Sequence, residues 1–195
     1  MSRVSFIAVA ALLLLVRAAP GVAVGTATNL APNPSFEQPP GAAAVAPEGW
    51  SYFTTKTPSV GLSRDNKHSG EQCVRLKAQG AVRSFQGLLV TLEVAAGGKY
   101  TFSAYVTNNR DDLLSGTAYG SLQVEWLDAS GKEISRTVSR TWNTNLSRMR
   151  WEPFSITKVR VPPGAVRASF GIHMNDGDGA AKGSAFVDDV VITKD

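Results

Sequence analysis

The sequence predicts an all-β domain, an antiparallel β-sandwich of the jelly-roll kind with eight or more strands. Three observations carry this. Apolar residues recur at a spacing of two in short runs, the period of a strand with one face in a core and the other in water. The runs are separated by turn-forming clusters such as "AAGG", "DASGK" and "PPGA", where glycine and proline supply the backbone angles a reversal needs. Past the N-terminal stretch no helical period appears, and many short strands without helices between them indicate a sandwich or barrel.

The chain has 195 residues and opens as an export signal: Arg3, then the apolar run "VSFIAVAALLLLV", then small residues in "RAAPGVAVGTA". An apolar core of roughly 7–15 residues followed by small residues fits a cleaved signal, whereas a membrane span needs about 20. The expected division is a signal peptide over residues 1–27, cut between Ala19 and Ala27, and one domain over 28–195. That domain is expected to be secreted or periplasmic, without stable membrane insertion. Lys and Arg number 20 against 16 Asp and Glu. Two of those cations, Arg3 and Arg17, fall in the signal, so the mature chain is near neutral and no basic stripe argues for nucleic acid. Cys73 is the single cysteine, which excludes an internal disulfide. It lies in "QCVRL", where a small strand residue is the expected role.

The strands are expected in order at "CVRLKA", "LLVTLEV", "KYTFSAYVT", "SLQVEWLD", "EISRTVSR", "EPFSITKVRV", "VRASFGIHM" and "AFVDDVVI". In the third, Tyr100, Phe102, Ala104 and Val106 share one face, and Thr101, Ser103, Tyr105 and Thr107 the other. In "SLQVEWLD", Leu122, Val124 and Trp126 oppose Gln123 and Glu125; in "VRASFGIHM", Ala168, Phe170, Ile172 and Met174 oppose Ser169, Gly171 and His173. "QPPGAAAVAPEG" reads as a surface loop. "NDGDGAAKG" begins like a calcium loop but lacks the twelfth-position glutamate and flanking helices, so a hairpin tip is expected there.

Six landmarks occur in order: "NLAPNPSFE", "EGW", "HSGEQCVRL", "GGKYTFSAYV", "WEPFSITKVRVPPGA" and "AFVDDVVI". Together they resemble the cellulose- and xylan-binding type of carbohydrate-binding module, with its galactose-binding-like jelly roll, over nearly the whole mature chain. The resemblance implies a structural calcium held by Glu37 and by Asp188, with Asp189 as alternate, and by backbone carbonyls of the "DNKHSG" turn, which includes Asn66 and Ser69. The residues point the same way. Phe186, Asp188, Val190 and Ile192 fall on one face by alternation, so Asp188 is expected among apolar neighbours, and an ionised carboxylate there needs a cation or donors. Hard carboxylate and carbonyl oxygens suit calcium. The alternative is that both acids sit solvated at strand ends.

A sugar polymer needs exposed aromatic faces for pyranose rings and planar polar groups for hydroxyls. Alternation offers Tyr105, Gln123, Glu125 and His173 on water-facing sides, with Arg83 and Phe85 of "VRSFQG" nearby. The resemblance implies a sheet-face site with aromatics near Trp50 and Tyr105. Trp50 reads equally as core plug or cleft wall. Trp142, in the polar "RTWNTNLSR", reads as an exposed sugar platform or as packing over the sandwich edge. Trp126 and Trp151 are expected in the core. "NLS" at Asn145 is a glycosylation sequon. The expected function is non-catalytic docking on a polysaccharide or cell-surface glycan. The alternatives are a structural or adhesion sandwich, and a small polysaccharide lyase using His173, Tyr105 and Arg83 as base, acid and uronate partner. Glu125 is the one acid on that face, which disfavours a two-carboxylate hydrolase.

Overall fold

The computed structural model describes residues 27–41, 45–54 and 59–195, so the expected signal, apart from Ala27, lies outside the described residues. Ten strands follow in order: β1 (Ser51–Thr54), β2 (Val60–Ser63), β3 (Cys73–Lys77), β4 (Phe85–Glu93), β5 (Lys99–Asn108), β6 (Tyr119–Leu127), β7 (Glu133–Val138), β8 (Glu152–Arg160), β9 (Arg167–Asn175) and β10 (Ser184–Lys194). They form two five-stranded sheets, a front sheet in the order β1-β4-β9-β6-β7 and a back sheet in the order β2-β3-β10-β5-β8. Every pairing is antiparallel. The fold is an all-β sandwich, and all eight expected runs are strands. The two that sequence reasoning missed, β1 and β2, have four residues each. They are too short to show a period and are edge strands ordered by their neighbours β4 and β3.

The two inner faces interlock in one core. Leu88 and Val90 of β4, Phe170 and Ile172 of β9, and Val124 and Trp126 of β6 meet Val74 and Leu76 of β3, Phe102 and Val106 of β5, and Val187 and Ile192 of β10, all buried. Phe170 joins the sheets directly, edge-on to Phe102 with ring centroids 5.6 Å apart. Ile172 beside it is wholly buried. Ile172→Val, which removes one methyl from this layer, is expected to cost about 0.5–1.5 kcal/mol, read as a lower urea midpoint at unchanged denaturant slope.

One phase expectation is overturned. The β5–β10 register slips between Asp188 and Val191, and Asp189 in that bulge has a left-handed backbone, φ 48°. Ala185 and Val187 face the core before the slip; Val190 and Ile192 face it after. Asp188 lies opposite Tyr105 and Phe186 opposite Thr107, both on the outer side of the back sheet. Asp188 is therefore buried, but under the loop of residues 65–71 and outside the sandwich core. A bulge adds a residue to one strand and reverses the alternation beyond it, which a strict period of two does not register. Cys73 is buried at this same place, its thiol donating to the Asn66 carbonyl. Burial, then the carboxylates of Asp188, Asp65 and Glu37, pushes the thiol well above its ordinary range, as befits an unreactive structural cysteine.

Candidate functional site

The outer face of the front sheet holds a cavity of about 300 Å³ lined by Phe53, Phe85, Leu89, Gln123, Glu125, Arg136, His173 and Asn175. Strand register builds it. Phe53 of β1 lies opposite Gly87 of β4, Gly87 opposite His173 of β9, and His173 opposite Ser121 of β6. The next row carries Leu89, Gly171 and Gln123, and the one after it Thr91, Ser169, Glu125 and Arg136. Two glycines make the floor. A Cβ on Gly87 would stand 2.6 Å from the Phe53 ring, and one on Gly171 would stand 2.6 Å from His173 Nε2. Both rings thus occupy space that any larger residue would fill. Phe53 packs on His173 at 4.6 Å and on Phe85 at 6.2 Å between centroids, giving an aromatic wall on one side.

The other side is polar and pinned by Arg136. Its guanidinium donates to Gln123 Oε1 at 2.9 Å and to Glu133 at 3.1 and 2.8 Å. It also pairs with Glu125 at 3.0 Å. Gln123 Nε2 donates to Ser121 Oγ at 3.2 Å. Burial pushes the Glu125 carboxyl up, Arg136 offsets this, and Glu133 adds to it. The hydrogen bond to Glu133 is the main reason Arg136 is held above its usual range. Burial first, and the Arg136 charge second, pulls His173 down to about 4. At neutral pH its ring is uncharged and offers one donor and one acceptor nitrogen.

That depression sets a sign for acid stability. The unfolded histidine takes a proton near its ordinary value of 6.5, whereas the folded one resists down to about 4. Between those values the unfolded chain binds more protons, so His173 makes stability fall as pH drops through the window. At 1.36 kcal/mol per pH unit the whole effect is roughly 3 kcal/mol. His173→Gln stays neutral, so its loss of stability between pH 7 and pH 4.5 is expected to be smaller than that of the wild type in paired urea titrations. Equal losses would show that the imidazole carries no such penalty.

Of the residues expected to contact sugar, the trough unites Phe85, Gln123, Glu125 and His173. Four others lie elsewhere. Tyr105 stands on the outer face of the back sheet, stacked on His68 at 4.0 Å, because β5 belongs to that sheet. Trp50 is 5% exposed, edge-on to Phe36 and bonded through Nε1 to the Pro32 carbonyl at 2.8 Å, which makes it a core plug. Trp142 is 2% exposed; its bridge to Gly120 extends the front sheet and turns the indole inward onto Phe154. Arg83 is exposed in the turn before β4, with φ 55°, and does not line the trough. Trp126 is in the core as expected, but Trp151 is only half-buried and sits edge-on to His68. Sequence reasoning missed Phe53, Leu89, Arg136 and Asn175. The alternation of Ile134, Arg136 and Val138 was available for Arg136; nothing marked Phe53, since β1 is too short.

A second constellation joins the chain ends. The Leu30 amide bonds the Ile192 carbonyl at 2.7 Å and the Val190 amide the Pro34 carbonyl at 2.8 Å, so the N-terminal segment docks along β10. Glu37 and Asp188 are thereby brought to one loop. Asp188 accepts from the amides of His68, Ser69 and Asp189 at 2.9, 3.1 and 2.8 Å. Glu37 accepts from the amides of Glu71 and Gln72. Gly70, with φ 60°, lets Glu37 lie where its own Cβ would be. Despite three donors, burial holds Asp188 up at about 6. Asp188 and Glu37 thus bring two carboxylates to one loop, and carboxylate oxygens are the kind of donor a hard cation takes. Among the described residues no trio of His, Cys, Asp or Glu side chains is grouped as a metal cluster, so backbone carbonyls would have to complete a shell. Asp189 is already engaged by His68 and the Ser69 hydroxyl, which leaves Asp188 the better ligand of the two.

No protein-family model matches the chain, and no curated protein does. Solved structures do. TmCBM61 in complex with β-1,4-galactotriose superposes at a TM-score of 0.57 and 19% identity, covering 86% of this chain and 99% of that one. The xylan-binding CBM22-1 domain of Paenibacillus barcinonensis Xyn10C does so at 0.55 and 16%, covering 82% and 90%. This is the jelly-roll fold of carbohydrate-binding modules. The same fold occurs inside larger proteins: the enzymatically active domain of the bacteriophage CBA120 tailspike protein 4 matches at 0.61 and 16% identity, and 86% of this chain corresponds to 21% of it. At such identities the likeness concerns the module fold alone; residues of the trough have to speak for themselves.

Proposed function

We propose that this protein is a secreted, non-catalytic carbohydrate-binding domain that docks a polysaccharide in the front-sheet trough. The observation that carries this is the opposition of an aromatic wall, Phe53 with Phe85 and His173, to a wall of fixed planar polar groups, Gln123, Glu125 and Arg136. Rings favour the apolar faces of pyranoses, and charge-assisted donors and acceptors held in place give orientation at small entropic cost. The lyase alternative needs His173, Tyr105 and Arg83 together, and the first two stand on opposite sheets, which favours binding over catalysis. Export rests on the N-terminal apolar run, outside the described residues; among the described residues no helix is long and apolar enough to cross a membrane. Calcium is the proposed structural ion, held by Glu37, Asp188 and carbonyls of residues 65–70, Asn66 and Ser69 among them. When bound it supplies the positive charge these two carboxylates lack.

Affinity gel electrophoresis on β-1,4-galactan, xylan and β-glucan tests the reading. Retardation on at least one is expected, and incubation with alginate, a polyuronate, is expected to release no ultraviolet-absorbing unsaturated uronate. Phe85→Ala, at a 43% exposed ring, is expected to weaken binding roughly five- to tenfold, the worth of one aromatic contact, with the melting temperature nearly unchanged. Tyr105→Ala is expected to leave retardation intact. Loss of binding in Tyr105→Ala with retention in Phe85→Ala would move the site to the other sheet.

A further inference from the structure

The outer face of the back sheet, opposite the trough, carries a second cavity of about 200 Å³, lined by Asp65, Asn66, Asn109, Arg110, Asp111, Arg148 and Phe186. Its walls are held rigidly from below. Asn109 is buried and uses its whole side chain in the framework: Nδ2 donates to Ser184 Oγ at 2.8 Å and Oδ1 accepts the Asp111 amide at 3.0 Å. This fixes Arg110 and Asp111 at the end of β5. The segment bearing Arg148 is tied down by the Thr107 hydroxyl, whose one hydrogen is shared between the carbonyls of Ser147 and Arg150 at 3.0 and 3.1 Å. Asp65 is held by Ser63. Phe186, 1% exposed and on the outer side of β10, is the apolar member of the lining.

Two guanidinium groups and two carboxylates thus line one space, yet no ion pair within 4.0 Å involves Arg110, Arg148, Asp65 or Asp111 among the described residues. Opposite charges that share a cavity without pairing leave planar donors and acceptors open to a third party, apart from the Asp65 Oδ2 that accepts the Ser63 hydroxyl. A guanidinium donates along two parallel N–H directions and a carboxylate accepts on two oxygens, which is the complement of adjacent hydroxyls on a sugar ring. The balanced charge selects a neutral ligand over a uronate or sulfate. The volume is that of a single sugar residue, not of a chain crossing a sheet.

We infer that this cavity is a second saccharide site, taking one neutral terminal sugar residue through its vicinal hydroxyls. It is separate from the trough, so the molecule can hold a chain interior on one sheet and a chain end or branch tip on the other. Two sites on one rigid body raise avidity for a branched or multi-chain polymer without any new contact.

Titration of the isotope-labelled mature domain with D-xylose, D-galactose, D-glucose and L-arabinose, followed by amide NMR, tests this directly. At least one sugar is expected to shift the amides of Asn66, Arg110, Asp111 and Arg148. Arg148→Ala, at an exposed position, is expected to weaken that response about tenfold, the value of a hydrogen bond to a charged group, while oligosaccharide shifts in the trough persist. Phe85→Ala is expected to do the reverse, so each site can fail without the other. Absence of shifts at these amides with all four sugars, or a response that disappears in Phe85→Ala and survives Arg148→Ala, would overturn the second site.

Discussion

Asp188→Ala is expected to lower stability by about 4 kcal/mol and to abolish the response to chelators. Three backbone amides, those of His68, Ser69 and Asp189, point at this carboxylate, and a buried donor left without a partner costs about 1–3 kcal/mol. For a domain of this size each kcal/mol moves the melting temperature by roughly 2–4 °C, so a fall of about 8–16 °C is expected in calorimetry. The wild-type protein should melt lower in a calcium chelator and recover with added calcium, because an ion that binds only the folded state stabilises it by mass action. Asp188→Asn retains an acceptor oxygen but not the charge. It should therefore sit between the other two proteins in stability while sharing the alanine variant's indifference to calcium. A wild-type protein that melts at one temperature with and without chelator would remove the ion from this account and leave Asp188 a hydrogen-bonded carboxyl.

Arg136→Ala is expected to be the most damaging single change for sugar binding, by about a hundredfold. Its guanidinium ties Gln123, Glu125 and Glu133 together. Without it, two carboxylates face each other with no cation between them, and Glu125, already pushed up by burial, would shift further towards its neutral form. Loss of two charge-assisted hydrogen bonds at about 1.5 kcal/mol each corresponds to that factor. Arg136→Lys keeps the charge but not the fork, and should recover only part of the affinity. The side chain is substantially exposed at 40%, so stability should change little, and calorimetric titration beside thermal melting separates the two effects. Undiminished affinity in Arg136→Ala would mean that the polar wall does not touch the ligand.

Much of this architecture is written in the local pattern of the chain. The eight longer strands, the absence of helices and the inward sets Leu122–Val124–Trp126 and Ala168–Phe170–Ile172 all follow from local alternation, because a pleated strand half-buried in a core must repeat at two. That Glu37 and Asp188 meet at one loop was anticipated from the family resemblance and not from alternation, which put Asp188 in the sandwich core. The bulge at Asp189 was not. It changes which neighbours bury Asp188, and a single left-handed residue leaves no signature in a pattern of apolar and polar positions.

The trough shows where local reading ends. Alternation correctly put Tyr105, Gln123, Glu125 and His173 on outward faces, but a sandwich has two outward faces pointing away from each other. Which sheet a strand joins is decided by long-range pairing: β6 and β9 pair in the front sheet, whereas β5 pairs with β8 and β10 in the back sheet. The sequence by itself determined the periodicity, the core composition and the turn positions, all of them short-range properties of the chain. Only the tertiary structure decided sheet membership, the inward turn of Trp142 and the meeting of Phe53 with His173, because each depends on contacts between residues far apart in the chain.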